Sequence, residues 1–190
     1  MDARADPRTR RADAASRAPR LRVPGGRGAV TLLDAVVQPH RAVPTPVAAV
    51  AALVDGAPVG MVVATLALGV SFDPPLCTIA VQRSSSTWPH LAGAARLGVS
   101  VLGSDQDAAV LRIASRDRAG RFAGVAWTAS EAGAVTIDGA ALHLECSVEQ
   151  VHDAGDHLLV VLRVQDVRHD SAREALLARD RRFGRYVESA

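Results

Sequence analysis

Lysine is absent: all 22 basic residues of this 190-residue chain are arginine. That excludes a P-loop, whose lysine must reach the terminal phosphates. Gly-x-Gly-x-x-Gly is also missing, so the usual dinucleotide turn of a Rossmann fold is not expected. There is no Gly-x-Ser-x-Gly and no evident base for a serine nucleophile, which leaves a hydrolase without support. Aromatic residues make up only 3%. The core must therefore come from Val, Leu, Ile and Ala, and Val-rich runs favour strands. Cysteine is scarce too. Cys77 and Cys146 are distant in sequence, with no Cys-x-x-Cys pair, and read as two buried thiols in a reducing compartment. No run approaches the roughly 18 apolar residues of a membrane span. The arginine-rich start lacks the apolar stretch of a secretory signal. These absences together predict a soluble, cytoplasmic chain with no membrane partner.

What is present suffices for one ordinary domain. Hydrophobic residues reach 48%, enough for a core without disulfides or metals. Charge is uneven. Residues 1–27 hold eight Arg against three Asp and show no period, so they read as a disordered tail. The remainder, 28–190, holds fourteen Arg against seventeen acids and reads as the folded domain. A mildly acidic folded part argues against nucleic acid as a partner.

The pattern along the chain is mainly β. Residues 29–38 read as a short helix bounded by Pro39 and packing on the sheet. Residues 46–54 and 59–67 read as a hairpin around a turn at Asp55-Gly56-Ala57-Pro58. Asp73-Pro74-Pro75 reads as a rigid connector. Strands follow over 76–81 and 97–102, with a short helix over 87–95 between them. Ala109, Val110, Ile113 and Ala114 have helical spacing, with Ser104 or Asp105 as N-cap. Two long strands, 140–151 and 157–167, flank a Gly-containing loop. The expected fold is mainly β: an antiparallel six-stranded split β-barrel with a few short helices.

Chemistry concentrates in Arg83-Ser84-Ser85-Ser86-Thr87-Trp88-Pro89, between a strand and a helix. Four successive hydroxyls at a helix start suit a dianionic phosphate. They suit an ordinary helix cap about as well. His157, at the start of a long strand beside a tight turn, could serve a ligand as a hydrogen-bond partner. A lone histidine is more often structural. His143, Glu145 and Cys146 have metal-capable chemistry, but Cys146 points to the opposite face of its strand, and no metal site is expected.

Seven segments in order then resemble a known family, the flavin reductase-like, FMN-binding split-barrel proteins. They are 57–65 (APVGMVVAT), 70–76 (VSFDPPL), 83–89 (RSSSTWP), 97–102 (LGVSVL), 121–125 (RFAGV), 155–157 (GDH) and 183–186 (FGRY). The resemblance implies an NAD(P)H:flavin oxidoreductase. FMN or FAD would be the flavin and NADH or NADPH the co-substrate. It places Val63, Ala64 and Thr65 along the flavin ring. Ser84, Ser85, Ser86 and Thr87 would lie at its phosphate, and Arg121 and Phe122 on the ribityl or phosphate side. His157 would face the nicotinamide as the catalytic candidate. It further implies a homodimer and a partner monooxygenase that receives reduced flavin. The alternative is a flavin-binding protein without catalysis, for storage or sensing. The run Leu66–Gly69 is one residue longer than the family's commonest version.

Overall fold

In the computed structural model, the described residues are 32–188. The expectation of a disordered tail over 1–27 lies outside them. The chain divides into two units, 1–43 and 44–190. In the first, helix α1 spans Leu32–Ala42 and runs through Pro39 instead of stopping at it.

The second unit begins from an unusual stretch, Ala48–Val54 (AAVAALV), whose first five residues are all buried. A strand alternates faces, so five buried residues in a row mean that both faces are covered. Two separate cores do this. Ala48, Val50 and Ala52 enter one; Ala49 and Ala51 enter the other. Small alanines let both layers approach this strand closely.

The strands are β1 (Thr45–Pro46), β2 (Ala48–Val54), β3 (Ala57–Val63), β4 (Ala67–Phe72), β5 (Pro75–Gln82) and β6 (Leu97–Val101). They continue with β7 (Trp127–Ala129), β8 (Val135–Ile137), β9 (Leu142–Ala154), β10 (His157–His169), β11 (Leu177–Arg179) and β12 (Arg182–Gly184). Helix α2 is Trp88–Leu91 and α3 is Asp107–Ile113. The main sheet runs β3-β2-β6-β9-β10-β5-β4 and every pair in it is antiparallel.

Six of these seven strands, all but β4, send side chains into one interior that includes Val63, Ile79, Val99, Leu144 and Leu162. Cys77 and Cys146 lie in the same interior, fully buried. Thr65, just beyond β3, brings that strand to β5. Its hydroxyl donates to the Ala80 carbonyl at 3.1 Å and accepts the Ala80 N–H at 2.9 Å. One threonine thus stands where a neighbouring strand would, and the expected six-stranded antiparallel barrel is formed. Trp88 and Leu91 of α2 pack into the same interior.

Outside β2 lies the second core, built from α3, Phe122, β8 and Leu176. Gly98 permits this layering. A Cβ there would lie 2.0 Å from the Val135 carbonyl oxygen.

Two hairpins are tighter than their sequences suggest. Asp55 and Gly56 both have positive φ (51° and 80°), a two-residue type I′ turn, so Ala57 and Pro58 already belong to β3. Likewise β9 and β10 are joined by Gly155 and Asp156 alone. The segment after Thr65 is a strand, β4, and not a plain connector. It is bulged: Ala67 pairs with Thr78 and Ser71 with Leu76, which leaves two extra residues on β4. Gly69 (φ +67°) sits in that bulge.

Candidate active site

A cleft of about 680 Å³ opens where the ends of several elements meet. That is within the range of small-molecule sites, roughly 300–1,000 Å³. One wall is the chain from Met61 to Thr65. Ala80–Gln82, the loop Ser84–Thr87 and His157 also line the cleft, with Ala80 hydrogen-bonded to Thr65. The floor of the mouth is the end of α3, with Ile113, Ala114 and Arg116, together with Arg121. The cleft thus gathers Val63, Ala64, Thr65, Ser84, Ser85, Ser86, Thr87, Arg121 and His157 from the residues singled out in sequence. It does not include Phe122, which is buried in the second core. Nor does it include Leu66–Gly69.

The wall at β3 has a specific chemistry. β3 is the end strand of the sheet and pairs only with β2. Its other edge offers backbone N–H and C=O groups to whatever occupies the cleft. Val63 is buried with its side chain in the barrel interior, while Ala64 is small and exposed. At Ala64, therefore, no bulky side chain stands over this edge.

The four hydroxyls of the loop divide into two roles. Ser85 Oγ accepts the N–H groups of Thr87 (3.3 Å) and Trp88 (3.2 Å), which fixes the start of α2. Thr87 is buried, and its hydroxyl accepts a 2.8 Å bond from Arg121. Ser84 and Ser86 are exposed, and neither hydroxyl has a hydrogen-bond partner among the described residues. They are the groups free to donate to an anion. With only four residues, α2 contributes little dipole, so the helix-start argument gives way to hydroxyls and side-chain charge.

Arg121 holds this loop in place. Its guanidinium donates to the Ser115 carbonyl (2.8 Å), the Gly60 carbonyl (2.9 Å) and the Thr87 hydroxyl. Burial and the neighbouring Arg118 pull its pKa below the ordinary value. Arginine nonetheless stays protonated. Arg118 in turn donates to the Ser86 carbonyl at 3.0 Å. Gly60 has to be glycine here: a Cβ would lie 2.8 Å from the Phe122 ring and 2.7 Å from the Ala51 methyl. Phe122 therefore serves the site from behind, by seating the Arg121 segment against β3.

Arg116 was not singled out in the sequence. It lines the cleft, is exposed, and has no ion-pair partner among the described residues. It is the uncommitted positive charge at the mouth. In so arginine-rich a chain no sequence signal marks it. His157 is partly exposed, and its Nδ1 lies 2.8 Å from Asp156 Oδ1. The bond holds the Asp156 carboxyl below its ordinary pKa. The weaker metal candidates are occupied elsewhere. His143 Nε2 lies 2.8 Å from the Ile137 carbonyl, and Cys146 is inside the barrel.

Residues 40–186 match the family described as Flavin reductase like domain. The chain belongs to the flavin reductase-like family. A flavin reductase of Pseudomonas putida is 36% identical over 135 residues, which cover 70% of this chain and 78% of that protein. The HsaB reductase subunit of a flavin-dependent monooxygenase from Rhodococcus jostii is 35% identical over 113 residues, 60% of this chain and 57% of that protein. Among solved structures, the NADH:FAD oxidoreductase SgcE6 of Streptomyces globisporus, in complex with NAD and FAD fragments, superposes with a TM-score of 0.77. It is 30% identical, and the match covers 86% of this chain and 99% of that one. This member of the flavin reductase-like family keeps the barrel of its relatives.

Proposed function

We propose that this chain is an NAD(P)H:flavin oxidoreductase whose flavin, FMN or FAD, binds in the cleft between β3 and the Ser84–Thr87 loop. One observation carries the reading. The free hydroxyls of Ser84 and Ser86, the uncommitted Arg116 and the open edge of β3 share a single cleft. Hydroxyl donors with a cation suit a flavin phosphate, and an open strand edge suits the polar rim of the ring. The flavin supplies the redox chemistry, accepting a hydride from the nicotinamide.

The protein's part is binding and alignment. Ser84 and Ser86 donate to the phosphate, Arg116 neutralises it, and Val63, Ala64 and Thr65 present backbone to the ring. Arg121 and Ser85 keep the loop in register. His157 lines the cleft from the start of β10 and orients the nicotinamide. No acid–base pair among these residues would be needed for the hydride chemistry that a bound flavin would supply.

The chain would supply reduced flavin to a separate monooxygenase; its HsaB relative is the reductase subunit of a flavin-dependent monooxygenase. The enzyme acts as a cytoplasmic homodimer. Among the described residues, no helix is long and apolar enough to cross a membrane. Steady-state assays that cross NADH and NADPH with FMN and FAD test the reading. Rapid oxidation of one nicotinamide, dependent on added flavin, is expected. Flavin binding without such oxidation would overturn the catalytic role in favour of storage or sensing. Absence of binding would overturn the flavin site itself.

A further inference from the structure

The turn that presents His157 is gripped by one residue at the end of β5, next to the cleft-lining Gln82 and Ser84. β5 and β10 pair as far as Gln82 and His157. One position beyond, Arg83 makes three contacts to the β9–β10 turn. Its backbone N–H donates to the Asp156 carbonyl at 3.0 Å. Its Nε donates to the Gly155 carbonyl at 2.8 Å. Its Nη2 pairs with Asp153 Oδ1 at 2.5 Å.

The Nε contact falls on the most adjustable point of the turn. Gly155 has φ +63°, whereas Asp156 is not among the positive-φ residues. That is the pattern of a type II′ turn, with glycine at its first central position. The Gly155 carbonyl belongs to the central peptide, which the turn's own closing bond does not use. If this peptide flipped, the turn would move toward type I′, with both central residues at positive φ. A hydrogen bond on that carbonyl opposes the flip. It keeps Asp156 where its carboxylate lies 2.8 Å from His157 Nδ1. A carboxylate only accepts, so Nδ1 must carry the proton. Nε2 of the neutral ring is then the acceptor.

We propose that Arg83 is a positioning residue for hydride transfer: by holding the Gly155–Asp156 peptide it sets the tautomer and direction of His157. This rests on the reading of His157 as the residue facing the nicotinamide. The ion pair with Asp153 is a minor part, because the two side chains are 43% and 81% exposed and such pairs contribute little. The bond to the carbonyl matters more than the charge.

A double-mutant cycle tests this. Arg83→Lys keeps the charge but has no planar Nε–H beside the carbonyl. It is expected to lower kcat/KM for the nicotinamide by roughly fivefold to tenfold, the effect of one lost hydrogen bond. Added to His157→Ala, it should lower kcat/KM no further, because both changes act through one ring. Arg83→Gln can still donate to the carbonyl but cannot pair with Asp153, and should restore most of the rate. A readout without any reaction accompanies these. Nitrogen NMR of His157, with no flavin or nicotinamide present, should show the Nδ1–H form in the parent and a mixture in Arg83→Lys. An unchanged tautomer, or effects that multiply in the double variant, would overturn the proposal. Should the parent neither bind flavin nor oxidise the nicotinamide, the flavin reading falls, while the NMR still decides the role of Arg83.

Discussion

Replacing Arg121 separates two roles that its position in the cleft leaves entangled, a charge for a phosphate and a brace for the loop. The guanidinium reaches three acceptors at 2.8–2.9 Å, one each from the α3 end, β3 and the Ser84–Thr87 loop. Arg121→Met keeps the stem and removes all three bonds. Hydrogen bonds to charged groups contribute about 1.5–3 kcal/mol each. The exposed side of the site lets water reach part of what is vacated, so the loss falls well short of three times that figure. An overall cost of about 3 kcal/mol follows, dominated by the buried Thr87 hydroxyl and the Gly60 carbonyl. For a chain of this size, each kcal/mol lowers the melting temperature by about 2–4 °C, so a fall of roughly 6–12 °C is expected.

Arg121→Lys sharpens the test. Lysine restores the charge, but a point-like ammonium cannot span three acceptors in a plane. It should recover flavin affinity only in part and melt close to the Met variant. Thermal denaturation by circular dichroism, paired with a fluorescence titration of FMN, gives both quantities. If Arg121→Met melted within about 2 °C of the parent, the bracing role would be wrong. If Lys restored both stability and affinity, charge alone would account for the residue.

The serines should part company in the same titration. Ser84→Ala with Ser86→Ala is expected to weaken FMN binding about tenfold or more at unchanged melting temperature, since each hydroxyl donates roughly 1 kcal/mol. Ser85→Ala should instead lower stability by about 1 kcal/mol through loss of its capping bonds; equal effects on affinity from all three would refute the division of roles. Gly98→Ala drives a methyl against the Val135 carbonyl, an overpacking cost of about 3 kcal/mol or more, so soluble protein with an unshifted urea midpoint would contradict the layered packing around β2.

Much of the fold was legible because its hairpins carry their turn chemistry in glycine. Asp55-Gly56 and Gly155-Asp156 each mark a reversal, and the long Val-rich runs between such marks leave little choice but strands. The β11–β12 hairpin shows the converse. Its turn is Asp180-Arg181, both at positive φ (47° and 60°) and neither of them glycine, so nothing in the sequence announces it. β4 was hidden for a different reason. Its bulge and Gly69 break the alternation by which a strand is read.

At the candidate site, the motif Arg121-Phe122 located a segment that reaches the cleft but not the direction of its side chains. Adjacent residues pointing opposite ways is a fact of local backbone, so Phe122 went to the core and Arg121 to the brace. The run of four hydroxyls likewise gave the loop without saying which were already engaged. That depends on contacts with Met61 and Arg121, far away in the chain.

The distribution of sulfur bears on how long such an enzyme lasts. Reduced flavin that escapes its acceptor reacts with oxygen and releases peroxide beside the protein that made it. Cys77 and Cys146 are sealed within the barrel at 0% exposure, out of reach of an oxidant in solution. Met61 is the one sulfur among the described residues that lines the cleft, 3.8 Å from Ser85 Oγ. Wear should therefore begin there, as a sulfoxide oxygen set against the serine that shapes the loop, while both thiols remain intact. Ageing would show first as a loosened grip on flavin, well before the barrel itself gave way.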